Sequence, residues 1–223
     1  VGAAIGQSLP VALGVMISPL PIVAVVLMLS SARAKVNAFA FLLGWFVAIT
    51  AVAMVVALAA GSAAPDEEDP AGWTGWLKIV LGLALLVVAL RQWRGRPRPG
   101  IEAPTPKWMA AVETFTPVKA TGLAVLLGGV NPKNLLLTVS GGATIAAAAP
   151  DDTSAVVVAS IVFAVVACIG VAAPIAIYLA TGDRAAVLLD ELKAWLIEHN
   201  AIVMAVLLLV IGVKLIGDGI SVV

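Results

Sequence analysis

The chain has 223 residues, 62% of them hydrophobic and 12% charged, with a formal net charge of zero. A soluble domain carries about twice that charge. At a mean hydropathy of +1.12 this one has too little polar surface to cover itself in water, so lipid is expected to solvate much of its exterior. The single cysteine, Cys168, excludes an intramolecular disulfide, a CxxC redox pair and a cysteine-built metal site, and its apolar neighbours read as packing.

Six apolar segments follow in chain order, each near the length that crosses a hydrocarbon core. The first covers residues 4–29; nothing basic precedes it, so it reads as a span rather than a cleavable leader. The second covers 36–60 and holds Trp45, which reads as packing. The third covers 74–90, the fourth 119–148, the fifth 153–180 and the sixth 201–222. Pro174 is expected to kink the fifth, with Tyr178 near its end. Two further stretches, 106–115 and 184–198, read as interfacial helices; in the second, Leu188, Leu189, Leu192, Trp195 and Leu196 make an apolar stripe.

The connections alternate in charge. Arg33 and Lys35 follow span one. Arg91, Arg94, Arg96, Arg98 and Lys107, with Lys119 at the edge, follow span three. Arg184 and Lys193 follow span five. Asp66, Glu67, Glu68 and Asp69 follow span two, and Asp151 and Asp152 follow span four, with no Lys or Arg in either connection. The positive-inside rule then makes the basic loops cytoplasmic and puts both termini outside a cytoplasmic membrane. Trp73 and Trp76 fall at the expected outer edge, and Trp93, Trp108 and Trp195 at the inner edge, where such rings settle. Lys78 and Lys214 sit near outer ends of spans and are expected to snorkel; Asp218, one turn past Lys214, is its expected ion-pair neighbour. His199 reads as interfacial.

The basic, proline-rich linker divides the chain into residues 1–92, a connection 93–116, and residues 117–223. Three spans in each part make any structural repeat an inverted one. The first span of each part carries a break: Ser18-Pro19-Leu20-Pro21 in span one, and Gly128-Gly129-Val130-Asn131-Pro132-Lys133-Asn134 in span four. Proline ends the helix before it and suits the first turn of the next. Ser18 and Asn131 are good N-cap residue types. The expected fold is therefore an all-α polytopic membrane protein of six transmembrane helices, as two inverted three-helix repeats with helices one and four broken. Interrupted helices at matching places point to a midplane binding site. Its candidate residues are Ser18, Pro19, Pro21, Asn131, Pro132, Lys133, Asn134 and Thr138. Half-helix tips present free N–H groups and the positive dipole end, and Lys133 adds a charge, so the site favours a carboxylate, phosphate or sulfate head. The competing reading is two structural kinks with Lys133 tied to backbone carbonyls. The Gly141-Gly142 pair could line a path or allow close helix approach.

No metalloprotease, nucleophile–base or phosphate-loop pattern is present, so no catalytic residue, metal or cofactor is expected, and no ATP site. The basic linker reads as a topology and anionic-lipid signal rather than a nucleic-acid site.

Four runs taken together, Arg91-Gln92-Trp93-Arg94-Gly95-Arg96-Pro97-Arg98-Pro99, Pro106-Lys107-Trp108-Met109, Asn131-Pro132-Lys133-Asn134 and Trp195-Leu196-Ile197-Glu198-His199-Asn200, resemble the GAP family of actinobacterial membrane proteins. That family includes the mycobacterial glycopeptidolipid- and sulfolipid-addressing proteins and is related to the LysE exporter superfamily. The resemblance covers nearly the whole chain. It implies export of a lipid or glycolipid toward the cell envelope. The expected partners are membrane lipids, a second copy of the chain and envelope-lipid synthesis or export proteins. Two other readings stand beside it: a LysE-like exporter of amino acids or small ions, and a scaffold that transports nothing itself.

Overall fold

The computed structural model describes residues 1–62, 70–96, 109, 111–182, 185–221 and 223. The acidic residues Asp66 to Asp69, the linker core from Pro97 to Trp108, Arg184 and the side chain of Trp73 lie outside the described part.

Every regular element among the described residues is helical. They are α1 (Gly2–Met16), α2 (Pro19–Leu29), α3 (Ala34–Ser62), α4 (Pro70–Arg94), a 3-10 turn (Val112–Thr114), α5 (Pro117–Val125) running into a π turn (Leu126–Val130), α6 (Pro132–Ala148), α7 (Thr153–Thr181) and α8 (Ala185–Ile220). Four helices, α3, α4, α7 and α8, are each long and apolar enough to cross a membrane. The pairs α1–α2 and α5–α6 reach that length only together, bent by 52° and 63°. The protein is thus an all-α polytopic membrane protein, with four spans, or six when each bent pair counts as one.

The prolines explain where helices restart. Pro19 and Pro132 open α2 and α6, and Pro117 opens α5. Pro10 and Pro174 instead lie within α1 and α7 without ending them. The stretch 184–198 is not a separate interfacial element. Its described residues form the start of a single 36-residue helix, α8, because neither glycine nor proline interrupts the chain between Ala185 and Ile211. Its stripe also divides: Leu189 and Leu196 are buried, while Leu188 and Trp195 are exposed. Leu196 packs with Met109 and with Ile22 and Val23 of α2.

The tightest pairing is α4 with α8, made possible by glycine on both helices. A Cβ on Gly82 would lie 2.7 Å from the Gly212 carbonyl oxygen, and one on Gly219 would lie 2.7 Å from that of Gly75. The helices therefore run antiparallel with their backbones almost in contact. Contacts elsewhere repeat between the two parts of the chain. α3 packs on α5 as α7 packs on α1, α4 on α6 as α8 on α2, and α3 crosses α7. This exchange of partners is what two inverted three-helix repeats would produce. The largest departure from the pattern is that α1 packs against α6, whereas α2 and α5 make no comparable contact among the described residues.

Trp45 sits at the α3–α7 crossing, fully buried. It stacks on Phe41, and its Nε1 donates to the Ala167 carbonyl at 3.4 Å. Gly141 and Gly142 permit close approach: a Cβ on Gly141 would strike the Phe163 ring, and one on Gly142 would meet the Ala53 carbonyl at 2.6 Å. Trp76, Trp93 and Trp195 are all exposed, as an aromatic belt requires, and Arg96 lies 4.2 Å over the Trp93 ring.

Candidate binding site at the two helix breaks

The first break follows Met16. The Met16 carbonyl abuts Gly170 of α7 so closely that a Cβ there would lie 1.9 Å from the oxygen. Ser18 then takes an extended conformation (φ −69°, ψ 113°) and α2 begins. Ser18 occupies the N-cap position but, contrary to expectation, makes no cap hydrogen bond. Its Oγ is buried without a hydrogen-bond partner among the described residues. Pro19 and Pro21, both buried, carry no N–H, so the first turn of α2 offers only the amides of Leu20 and Ile22.

The second break is held differently. The Asn131 N–H closes the π turn onto the Leu126 carbonyl at 2.8 Å. The Asn131 side chain caps α6 by accepting from the Lys133 amide at 3.1 Å. Asn134 reaches back, its Nδ2 donating to the Leu127 carbonyl at 2.8 Å. The break rests on the middle of α3, where a Cβ on Gly128 would lie 3.2 Å from the Trp45 ring. Both breaks thus lean on central turns of long spanning helices, far from either end.

The packing of α1 on α6 brings the two broken spans together. A Cβ on Gly14 would sit 3.7 Å from Leu137. Ser18 follows the end of α1, and Lys133 lies one helical turn, about 6 Å, before Leu137 in α6, so both lie on the break side of the Gly14–Leu137 contact. Leu137 and Lys133 share one face of α6.

Lys133 is 5% exposed and has no counter-ion or side-chain hydrogen bond among the described residues. Asn134 is fully buried, and its Oδ1 is unpartnered. The Lys133 ammonium, the Ser18 hydroxyl and the Asn134 amide oxygen are thus three polar groups beside the breaks with unused capacity among the described residues. The other candidates are differently placed. Thr138 is buried, with its hydroxyl donated to the Asn134 carbonyl at 2.9 Å. Asn131 is half-buried and engaged as a cap, and Pro132 is exposed, turned away from Lys133. Ser160 of α7 was not singled out from the sequence; its Oγ is also buried and unpartnered. Only its polarity within an apolar helix could have marked it.

The described residues thus set a buried lysine beside one of two helix breaks in an all-helical membrane protein. The chain matches the family described as Sap, sulfolipid-1-addressing protein, over residues 9–221, and it belongs to that family. No curated protein and no solved structure matches it.

Proposed function

We propose that this protein is a membrane transporter that moves an amphiphile with an anionic head, a lipid or glycolipid, across the cytoplasmic membrane toward the cell envelope. The observation that carries the reading is Lys133, buried at the second break without a counter-ion among the described residues. A lysine in the hydrocarbon region costs about 2.5–3.5 kcal/mol on the insertion scale, and a buried charge without a partner is strongly destabilising. An anionic head at this point offsets that cost. Ser18 Oγ and the Asn134 amide supply hydrogen bonds, and the α2 and α6 N-termini supply favourable dipoles. The family name refers to a sulfolipid, whose head is anionic, and so agrees with this chemistry. On this reading the face bearing Arg33, Lys35, Arg91 and Arg94 is cytoplasmic, and both termini lie outside.

Reconstitution tests it. Full-length protein in liposomes is expected to move a fluorescent anionic lipid between leaflets, and Lys133→Ala to abolish that movement while expression is retained and the melting temperature is no lower than that of the wild type. Lys133→Arg keeps the charge and is expected to retain part of it. If the wild-type protein moves no lipid but exports an amino acid, the LysE-like reading replaces this one. If it moves neither, and Lys133→Ala is harmless in cells, the chain is a scaffold.

A further inference from the structure

A second group of charges lies within the spanning helices, away from the breaks. Lys78 of α4 is 4% exposed, so it does not snorkel as expected from the sequence. The reason is the α4–α8 seam: with Gly75 on Gly219 and Gly82 on Gly212, the helices leave the Lys78 stem no lipid-facing path. On α8, Lys214 pairs with Asp218, and each side chain is 36% exposed. The same register brings Lys78 level with the turn between those two, and Asp218 and Lys214 both lie within its electrostatic reach. Among the described residues the cluster thus holds two lysines and one carboxylate, which pairs with Lys214. Lys78 is buried without an ion pair of its own, and Lys214 is the more accessible of the two ammonium groups.

The cluster is separated from Lys133 by a defined contact. Ile211 of α8 and Leu137 of α6 both close on Gly14 of α1, where a Cβ would lie 2.4 Å from Ile211 Cδ1. Leu137 is one turn from Lys133, and Ile211 is one turn from Lys214. Going from the breaks toward the face that bears the termini, the order is Lys133, then the Gly14–Leu137–Ile211 contact, then Lys214 with Asp218 and Lys78.

We propose that Lys78, Lys214 and Asp218 form a second binding station for an anionic lipid head, on the far side of a gate made by Gly14, Leu137 and Ile211. The proposal rests on the transport reading for its purpose, but not for its test. An arriving phosphate or sulfate head takes Lys214, and Asp218 passes to Lys78, so the exchange keeps every charge paired. Lys78 acts as the positioning residue that makes Asp218 release Lys214.

The test is equilibrium binding of a short-chain phosphatidylglycerol to purified full-length protein in detergent, against the matching phosphatidylcholine. Wild type is expected to show two classes of anion-selective binding. Lys133→Met should remove one and Lys78→Met the other. Asp218→Asn leaves two ammonium groups without their carboxylate and should tighten the second class by about tenfold, or 1.4 kcal/mol. A purely structural cluster predicts the opposite sign, so weaker binding in Asp218→Asn overturns the proposal. If Lys133→Met removes all selectivity and Lys78→Met none, the second station is wrong and the Lys133 site stands. If only Lys78→Met matters, the station stands and the Lys133 reading fails. Should Lys78→Met not fold, Asp218→Asn alone decides the outcome.

Discussion

Two asparagines flank Lys133 and act differently. Asn131 spends its side chain on the Lys133 amide, while Asn134 spends only its nitrogen and keeps a buried, unpartnered oxygen. Removing the Asn131 cap should weaken the start of α6 by about 1 kcal/mol; Asn131→Ala should therefore lower the melting temperature, with anion binding changed far less than by Lys133→Ala. A second cap gives a pH signature. Asp152, fully exposed, opens α7 by accepting from the Ser154 hydroxyl at 2.6 Å and the Ala155 amide at 2.9 Å. Those bonds, the hydroxyl first, hold its carboxyl below the usual range. Because the folded pKa is lowered, the contribution is present above the unfolded carboxylate value of about 3.9 and is lost as pH falls through the folded one. The melting-temperature gap between wild type and Asp152→Ala should stay constant from neutral pH to near that value, then shrink in more acid solution.

At the scale of elements, the breaks are made by proline and positioned by glycine. Proline explains why α2 and α6 begin, but the depth of the first break depends on Gly170, which receives the Met16 carbonyl. The neighbour is backbone, so no side-chain rotation can make room for a methyl. Gly170→Ala should cost about 1–3 kcal/mol as overpacking and displace Ser18, reducing lipid movement although the site residues are intact. If thermal unfolding and transport are both unchanged in Gly170→Ala, the break is not held at this depth. The extended α8 shows the complementary rule: an amphipathic stretch with no breaker stays joined to the span that follows.

At the scale of the whole molecule, the pairing that departs most from an inverted-repeat pattern is α1 closed on α6 while α2 stands apart from α5. If the two parts are equivalent inverted units, the opposite arrangement has similar energy, and a ligand that binds the two arrangements unequally shifts the balance. Cysteines at positions 14 and 137, in a chain whose Cys168 is replaced by serine, should cross-link readily and block transport. A pair joining α2 to α5 should cross-link only when an anionic lipid is present. Equal, lipid-independent cross-linking at both places would mean that the halves do not exchange.

Local chemistry was legible in the order of residues because it acts over a few positions. Apolar run lengths announced the spans, prolines the restarts, the spacing of Lys214 and Asp218 their ion pair, and the loop charges the alternation that the topology reading uses. Span-scale patterns of that kind need no knowledge of what lies opposite. Burial and partnership do need it. Whether Lys78 reaches the surface, whether Ser18 caps its helix, whether Gly141 and Gly142 line a path or seat a phenyl ring, and whether Ser160 belongs among the unpartnered groups were all decided by the neighbouring helix. A side chain's free energy in a bilayer depends on what replaces lipid around it, and that is fixed only when distant segments pack.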